Sequence, residues 1–216
     1  MEYKRTRRRH GLPAPFRLPA ILAVVVIILL IIWALIPKPK PAPVAGAPDW
    51  VTQALIPINE YSRPGDKLDA VNGIVIHYTG NPGTTAKQNR DYFAGLAKSH
   101  ESYISSNFVV GLDGEVLQAV PSDEVAYASS QRNNDTLSIE VCHPGDTGEF
   151  NEKTTDSLVA LVQWLVDYYD LDRNQVIRHF DVTGKECPRW FVQHPEDWEA
   201  FLDKIDFTHT QKEPAS

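Results

Sequence analysis

Two widely separated segments put the tightest limits on what this chain can fold into. Residues 73–80 read GIVIHYTG and residues 176–188 read VIRHFDVTGKECP. Each opens with a short apolar, β-branched run that suits a buried strand. Each also carries a histidine, His77 or His179, to the strand's end, where a side chain can leave the core and face a cleft. Cys187 follows His179 by eight positions, and Thr183 and Gly184 between them let the chain turn back so that the thiolate can approach the imidazoles. Two histidines and a cysteine are a three-ligand zinc set. A structural zinc closes its shell with four protein ligands, whereas three leave one tetrahedral position open, the arrangement of a catalytic zinc. The open position implies hydrolysis.

Charge is unevenly distributed along the 216 residues. The first forty hold eight Lys or Arg against one Glu, yet the whole chain carries a formal −7, so the remainder is strongly acidic. An acidic body argues against nucleic acid as a partner, because neutralising phosphates needs a basic face. Residues 18–36 are uncharged and apolar, and as a helix they would span roughly 28 Å, close to the hydrocarbon thickness of a bilayer. This run exceeds the roughly 7 to 15 residues of a signal-peptide core, which favours an uncleaved transmembrane helix over a cleaved signal ending near Ala45-Gly46-Ala47. Basic residues cluster before the span. The expected topology is single-pass in the cell membrane, with residues 1–17 cytoplasmic and everything after residue 36 extracytoplasmic. Residues 37–48, PKPKPAPVAGAP, read as an extended proline-rich linker.

From residue 49 to about 207 the composition is that of a globular domain, with residues 208–216 a tail. Residues 50–58 read as a short helix or docking arm and residues 62–65 as a turn. Thr84 or Thr85 can cap a helix running to about residue 97. Leu112-Asp113-Gly114 joins the strands 106–110 and 115–119 into a hairpin, and residues 137–142 form another strand. Helices are expected over 154–169 and 195–205, from apolar residues at helical spacing. The expected fold is α/β, a mixed central β-sheet flanked by helices, preceded by one N-terminal transmembrane helix.

Alternation along LSIEVC places Ser138, Glu140 and Cys142 on one face and Leu137, Ile139 and Val141 on the other. A carboxylate aimed into such a sheet needs a partner. Beside a metal site Glu140 would have one, as general base and then general acid; otherwise it is a salt-bridged edge-strand glutamate. His100, His143 and His194 sit in contexts typical of surface loops. A disulfide between Cys142 and Cys187 is conceivable in an oxidising compartment, but it would remove a zinc ligand.

An apolar strand ending in His-Tyr-Thr, followed far downstream by His and then Thr-Gly-Lys-x-Cys-Pro, resembles the zinc-dependent N-acetylmuramoyl-L-alanine amidases of the type-2 amidase and peptidoglycan-recognition superfamily. The resemblance runs from about Arg63 to about Ile205. It implies a substrate, peptidoglycan, and a bond, the amide between the lactyl group of N-acetylmuramic acid and L-alanine. It also implies that His77, His179 and Cys187 hold Zn2+, that Glu140 is catalytic, and that Lys185 stabilises the oxyanion. The pattern departs at Ser106, where many members carry a catalytic tyrosine. Tyr78 and Tyr127 are candidates for lining the cleft. Arg63, Asn81, Thr84, Ala128 and Asn133, in loops around it, are candidates for holding the peptide stem. Two alternatives stay open: a catalytically inactive peptidoglycan-binding module, and a zinc peptidase with another substrate.

Overall fold

The structure is a computed structural model that describes residues 17–35 and 47–208. Most of the basic segment and the proline-rich linker, and nearly all of the tail, lie outside the described residues. The chain divides into two units, Met1–Pro39 and Lys40–Ser216.

The first unit is the helix α1 (Arg17–Leu35). Its side chains are described only for residues 21–29 and 31; every one of these is apolar and exposed, with no polar face among them. Among the described residues no helix is long and apolar enough to cross a membrane. Of the expected span at 18–36, residue 36 and the side chains of residues 18–20, 30 and 32–35 lie outside them.

The second unit is built on a six-stranded sheet of order β1-β4-β3-β5-β2-β6. The strands are β1 (Thr52–Gln53), β2 (Ile74–Tyr78), β3 (Phe108–Val110), β4 (Val116–Gln118), β5 (Leu137–Val141) and β6 (Val176–Arg178). Only β3 and β4 run antiparallel, as the hairpin turn at Gly114 dictates, with φ of +86°. The other pairings are parallel. The expected mixed sheet is present, and helices cover both faces.

Period-two alternation sorts the strand residues between two cores. Ile74, Ile76, Phe108, Val110, Leu137, Ile139 and Val141 face one core with α3 (Glu152–Tyr169), whose Leu158, Leu161, Val162 and Leu165 are wholly buried. Val109, Leu117 and Cys142 face the other with α2 (Ala86–Ser99), through Ala86 and Phe93. Thr85 caps α2 in a reciprocal capping box with Gln88. Asn151 caps α3, which starts two residues before the expected position.

The arm at residues 50–58 is no helix. Its short strand β1 adds to the sheet edge, and Arg90 donates to the carbonyls of Ala54 (2.6 Å) and Leu55 (2.6 Å). Two further short helices, α4 (His179–Thr183) and α5 (Arg189–Gln193), follow β6, and α6 (Pro195–Leu202) closes the domain.

Arg63 lies away from the cleft, in a mostly buried clamp. Its guanidinium donates to Glu124 at 2.6 and 3.1 Å and to the Ile56 carbonyl at 2.7 Å, pinning the arm to the body. The Arg63 hydrogen bond holds the Glu124 carboxyl below its ordinary value, against the opposing effect of burial. A depressed folded pKa means stability that is present above the unfolded value and is lost as pH falls through the folded one. Glu124→Gln should therefore flatten the acid limb of a plot of melting temperature against pH. Arg63→Ala, which leaves the buried Glu124 carboxylate with only the exposed Lys67 at 3.3 Å, should cost roughly 2 to 4 kcal/mol in denaturant unfolding at neutral pH.

Candidate active site

His77 and Glu140 are directly opposed in the parallel β2/β5 register, each one residue before its strand's last residue. They share the face turned away from the α3 core, at the carboxyl ends of the central strands, where open α/β sheets form their clefts. His179 is the first residue of α4, immediately after β6, which pairs with β2. Gly184 ends α4 in the left-handed region at φ of +77°, and the backbone N–H of Phe180 then donates to the Cys187 carbonyl at 2.9 Å. This turn carries Cys187 back to the histidines. The strand-to-turn passage that the sequence suggests contains one helical turn more than expected, because Asp181 caps α4 from inside by accepting the Arg178 N–H.

The ligand atoms of His77, His179 and Cys187 lie within 4.8 Å of one another, and all three residues are buried. Cys187 Sγ is 3.9 Å from His77 Nδ1, and the imidazole centroids are 4.6 Å apart. Burial, then the neighbouring His179 and Lys185, hold His77 well below the usual imidazole range; burial and Lys185 lower His179. Both rings are therefore neutral, the form that ligates a metal. Burial pushes the Cys187 thiol up to about 12, with Glu140 adding to the effect and the Tyr78 backbone N–H opposing it. A buried thiolate here needs a cation, and metal binding would release its proton.

The donor set fits zinc on two further observations. The Nε2 of His77 lies 3.1 Å from Ser129 Oγ, which leaves Nδ1 to carry the lone pair toward Cys187. Such an outer partner fixes the tautomer and orientation of a ligating histidine. In addition, Glu140 is 8% exposed and its Oε2 is buried without a hydrogen-bond partner. Burial pushes its carboxyl up to about 8, with Lys185 pulling the other way. An orphaned carboxylate oxygen beside three metal-type donors is accounted for by a ligand between them.

These residues open into a cleft of about 330 Å³, whose wall also includes Glu140, Lys185, Tyr103, Tyr127, Ala128 and Asn133. Asn133 Oδ1 accepts the backbone N–H groups of Ala128 (3.1 Å) and Ser129 (2.6 Å), so it shapes the loop that supports His77. Asn81 and Thr84 are not in the wall. The Thr84 hydroxyl donates to the Asn81 carbonyl at 2.7 Å and accepts from Asn89 at 2.9 Å, a local turn leading into α2. Ser106 is fully buried, its hydroxyl donating to the Phe108 carbonyl at 2.8 Å, and is outside the wall as well. Tyr78 lines the cleft, with Arg189 5.6 Å above its ring.

His143 is not a surface residue. It is 1% exposed, donates from Nδ1 to the Gly145 carbonyl at 2.7 Å and packs 5.1 Å from the Tyr78 ring, because the turn after β5 folds back over it. Both cysteines are free thiols. Ser129 is the contributor that carried no signal in the sequence, being 52 residues from the histidine it supports. Ser129→Ala should weaken metal binding about 10- to 100-fold, the scale for outer partners of a ligating histidine. Competition with a chromogenic zinc chelator would measure it.

The sheet order, the helices on both faces and the buried His, His, Cys set define an amidase-type α/β domain. The N-acetylmuramoyl-L-alanine amidase profile matches residues 67–190, more than half of the sequence, and the chain belongs to that family. It is 34% identical over 168 residues to a probable N-acetylmuramoyl-L-alanine amidase of Bacillus licheniformis, covering 72% of this chain and 47% of that protein. It is 31% identical over 175 residues to the amidase BlyA of Bacillus subtilis (strain 168), covering 71% and 46%. The chain thus spans about half the length of the curated relatives it matches. Among solved structures it is similar to the catalytic domain of XlyA, with a TM-score of 0.61 at 26% identity over 72% of this chain and 99% of that one. PlyL shares the fold, with a TM-score of 0.63 at 21% identity over 73% and 98%.

Proposed function

We infer that this protein is a zinc-dependent cell-wall hydrolase that cleaves the amide between N-acetylmuramic acid and L-alanine in peptidoglycan. The observation that carries this reading is the buried convergence of His77, His179 and Cys187 near a Glu140 whose Oε2 has no hydrogen-bond partner, within a chain of the amidase family. Bound zinc would supply Lewis acidity and a water that ionises near neutral pH. The protein's own groups account for the rest. Glu140 takes a proton at Oε2 from the attacking water and returns it to the departing amine of L-alanine. Lys185 places its ammonium in the cleft wall, where it favours the developing negative charge on the carbonyl oxygen. Ser129 and Asn133 hold His77 in place, and Ala128 and Asn133 offer polar and small surface to the stem.

The same reading places the catalytic domain, residues 49–207, outside the cell, with residues 18–36 as its membrane span, residues 1–17 cytoplasmic and residues 37–48 as the tether. Its support is the apolar, exposed side chains of α1 at residues 21–29, together with the basic residues before it.

Purified walls incubated with the chain should yield new free amino groups belonging to alanine. New reducing sugar ends instead, or new amino groups only on later stem residues, would contradict the assignment. The second of those outcomes would point to a zinc peptidase.

A further inference from the structure

Tyr103 is 55% exposed, yet its ring is held on several sides. Its hydroxyl donates to Glu60 Oε1 at 3.0 Å. The Tyr61 ring lies 5.0 Å away, tilted by 32°, and is itself stacked on His100 at 4.3 Å and 9°. Tyr127 meets the Tyr103 ring edge-on at 6.0 Å. The backbone is pinned as well, because the Ile104 N–H donates to the Tyr61 carbonyl (3.2 Å) and the Ser105 N–H to the Tyr127 carbonyl (3.0 Å). Asn59 Oδ1 in turn accepts the backbone N–H of Tyr61 at 2.9 Å. An exposed tyrosine would ordinarily sample several rotamers. This one is fixed in advance in the wall of the catalytic cleft, which lowers the entropy lost when something stacks on it.

Charge indicates what stacks there. The one cation in the cleft wall among the described residues is Lys185, two positions from Cys187, and Arg189 lies over Tyr78 beside it. Tyr103 is tethered to a carboxylate, Glu60. A peptide stem carries carboxylates, which the Glu60 carboxylate beside Tyr103 repels. An N-acetylated hexose is neutral, with an apolar C–H face that suits an aromatic ring and hydroxyls that suit an acidic neighbour. Resting on the amidase reading, we propose that Tyr103 is the platform for a sugar ring of the glycan strand beyond the muramyl unit being cut. It thereby makes the enzyme selective for intact strands over single-sugar fragments.

The test uses the full-length chain with three probes: cell wall of long glycan strands, a muramyl peptide with a single sugar, and an oligomer of N-acetylglucosamine. Tyr103→Ala should raise the half-saturating concentration of wall about tenfold, the scale of one aromatic stacking contact, with kcat unchanged. Cleavage of the single-sugar peptide should fall by much less than cleavage of wall, and oligomer binding should weaken by the same factor as wall. Tyr103→Trp should restore both affinities, for wall and for the oligomer, which a merely structural role for the phenol would not allow. Equal losses on wall and single-sugar peptide, or unchanged oligomer binding by Tyr103→Ala, would overturn the proposal. If the native chain cuts neither substrate yet binds the oligomer through Tyr103, the platform stands and the amidase reading falls.

Discussion

Cys187→Ser should leave a folded protein that holds no zinc and releases no stem peptides, a loss of at least about 10³-fold in turnover on the several-kcal/mol scale of metal catalysis. A thiolate is a soft donor that completes a tetrahedral zinc set with two neutral imidazoles. A serine hydroxyl stays protonated at neutral pH and binds zinc poorly. The substitution removes little packing, since serine keeps the backbone hydrogen bonds that Cys187 makes with Phe180 and Lys185. Affinity for wall should persist, because it comes from the cleft walls. Metal analysis, peptide release and pull-down on insoluble peptidoglycan together check the prediction. Cleavage by a metal-free serine variant would show that the triad is not the reactive centre. Wall binding without cleavage by the native chain would favour the binding-module alternative.

Glu140→Gln should separate proton transfer from metal binding. Glutamine fills the same volume in β5 opposite His77 but cannot accept a proton, so turnover should fall about 10² to 10⁴-fold, the usual contribution of general acid and base catalysis. Zinc content should be unchanged. Stability should not fall, since the buried carboxylate it replaces has an oxygen without a partner. Near-normal turnover would remove Glu140 from the mechanism. Loss of metal would make it a ligand or a ligand's support instead.

The parts of this site that the sequence reveals are those governed by short-range periodicity. Alternation in LSIEVC sends Glu140 to the face opposite Leu137, Ile139 and Val141, and those three are in the α3 core. The apolar runs before His77 and His179 become adjacent parallel strands, so both histidines arrive at one end of the sheet. What stayed hidden depends on contacts across long loops. Arg63 looks like a loop cation free to meet a substrate, but Glu124, 61 residues away, occupies its guanidinium. His143 follows the strand in a polar context, yet the turn behind it closes over the ring. Ser129 and Tyr103 sit in segments without periodicity, and their meaning comes from partners that only the folded chain supplies: His77 for the first, Tyr61 and Glu60 for the second. The helical turn of α4 was masked by its shortness, since five residues carry no readable amphipathic period.

The most direct test of the account is to follow the products of peptidoglycan digestion by mass before and after removal of metal. The native chain should release intact peptide stems beginning with L-alanine and leave the lactyl group on the sugar. Dialysis against a strong chelator should stop this, and one equivalent of Zn2+ should restore it in the native chain but not in Cys187→Ser. Undiminished release of the same stems from protein shown to hold no metal would contradict the account.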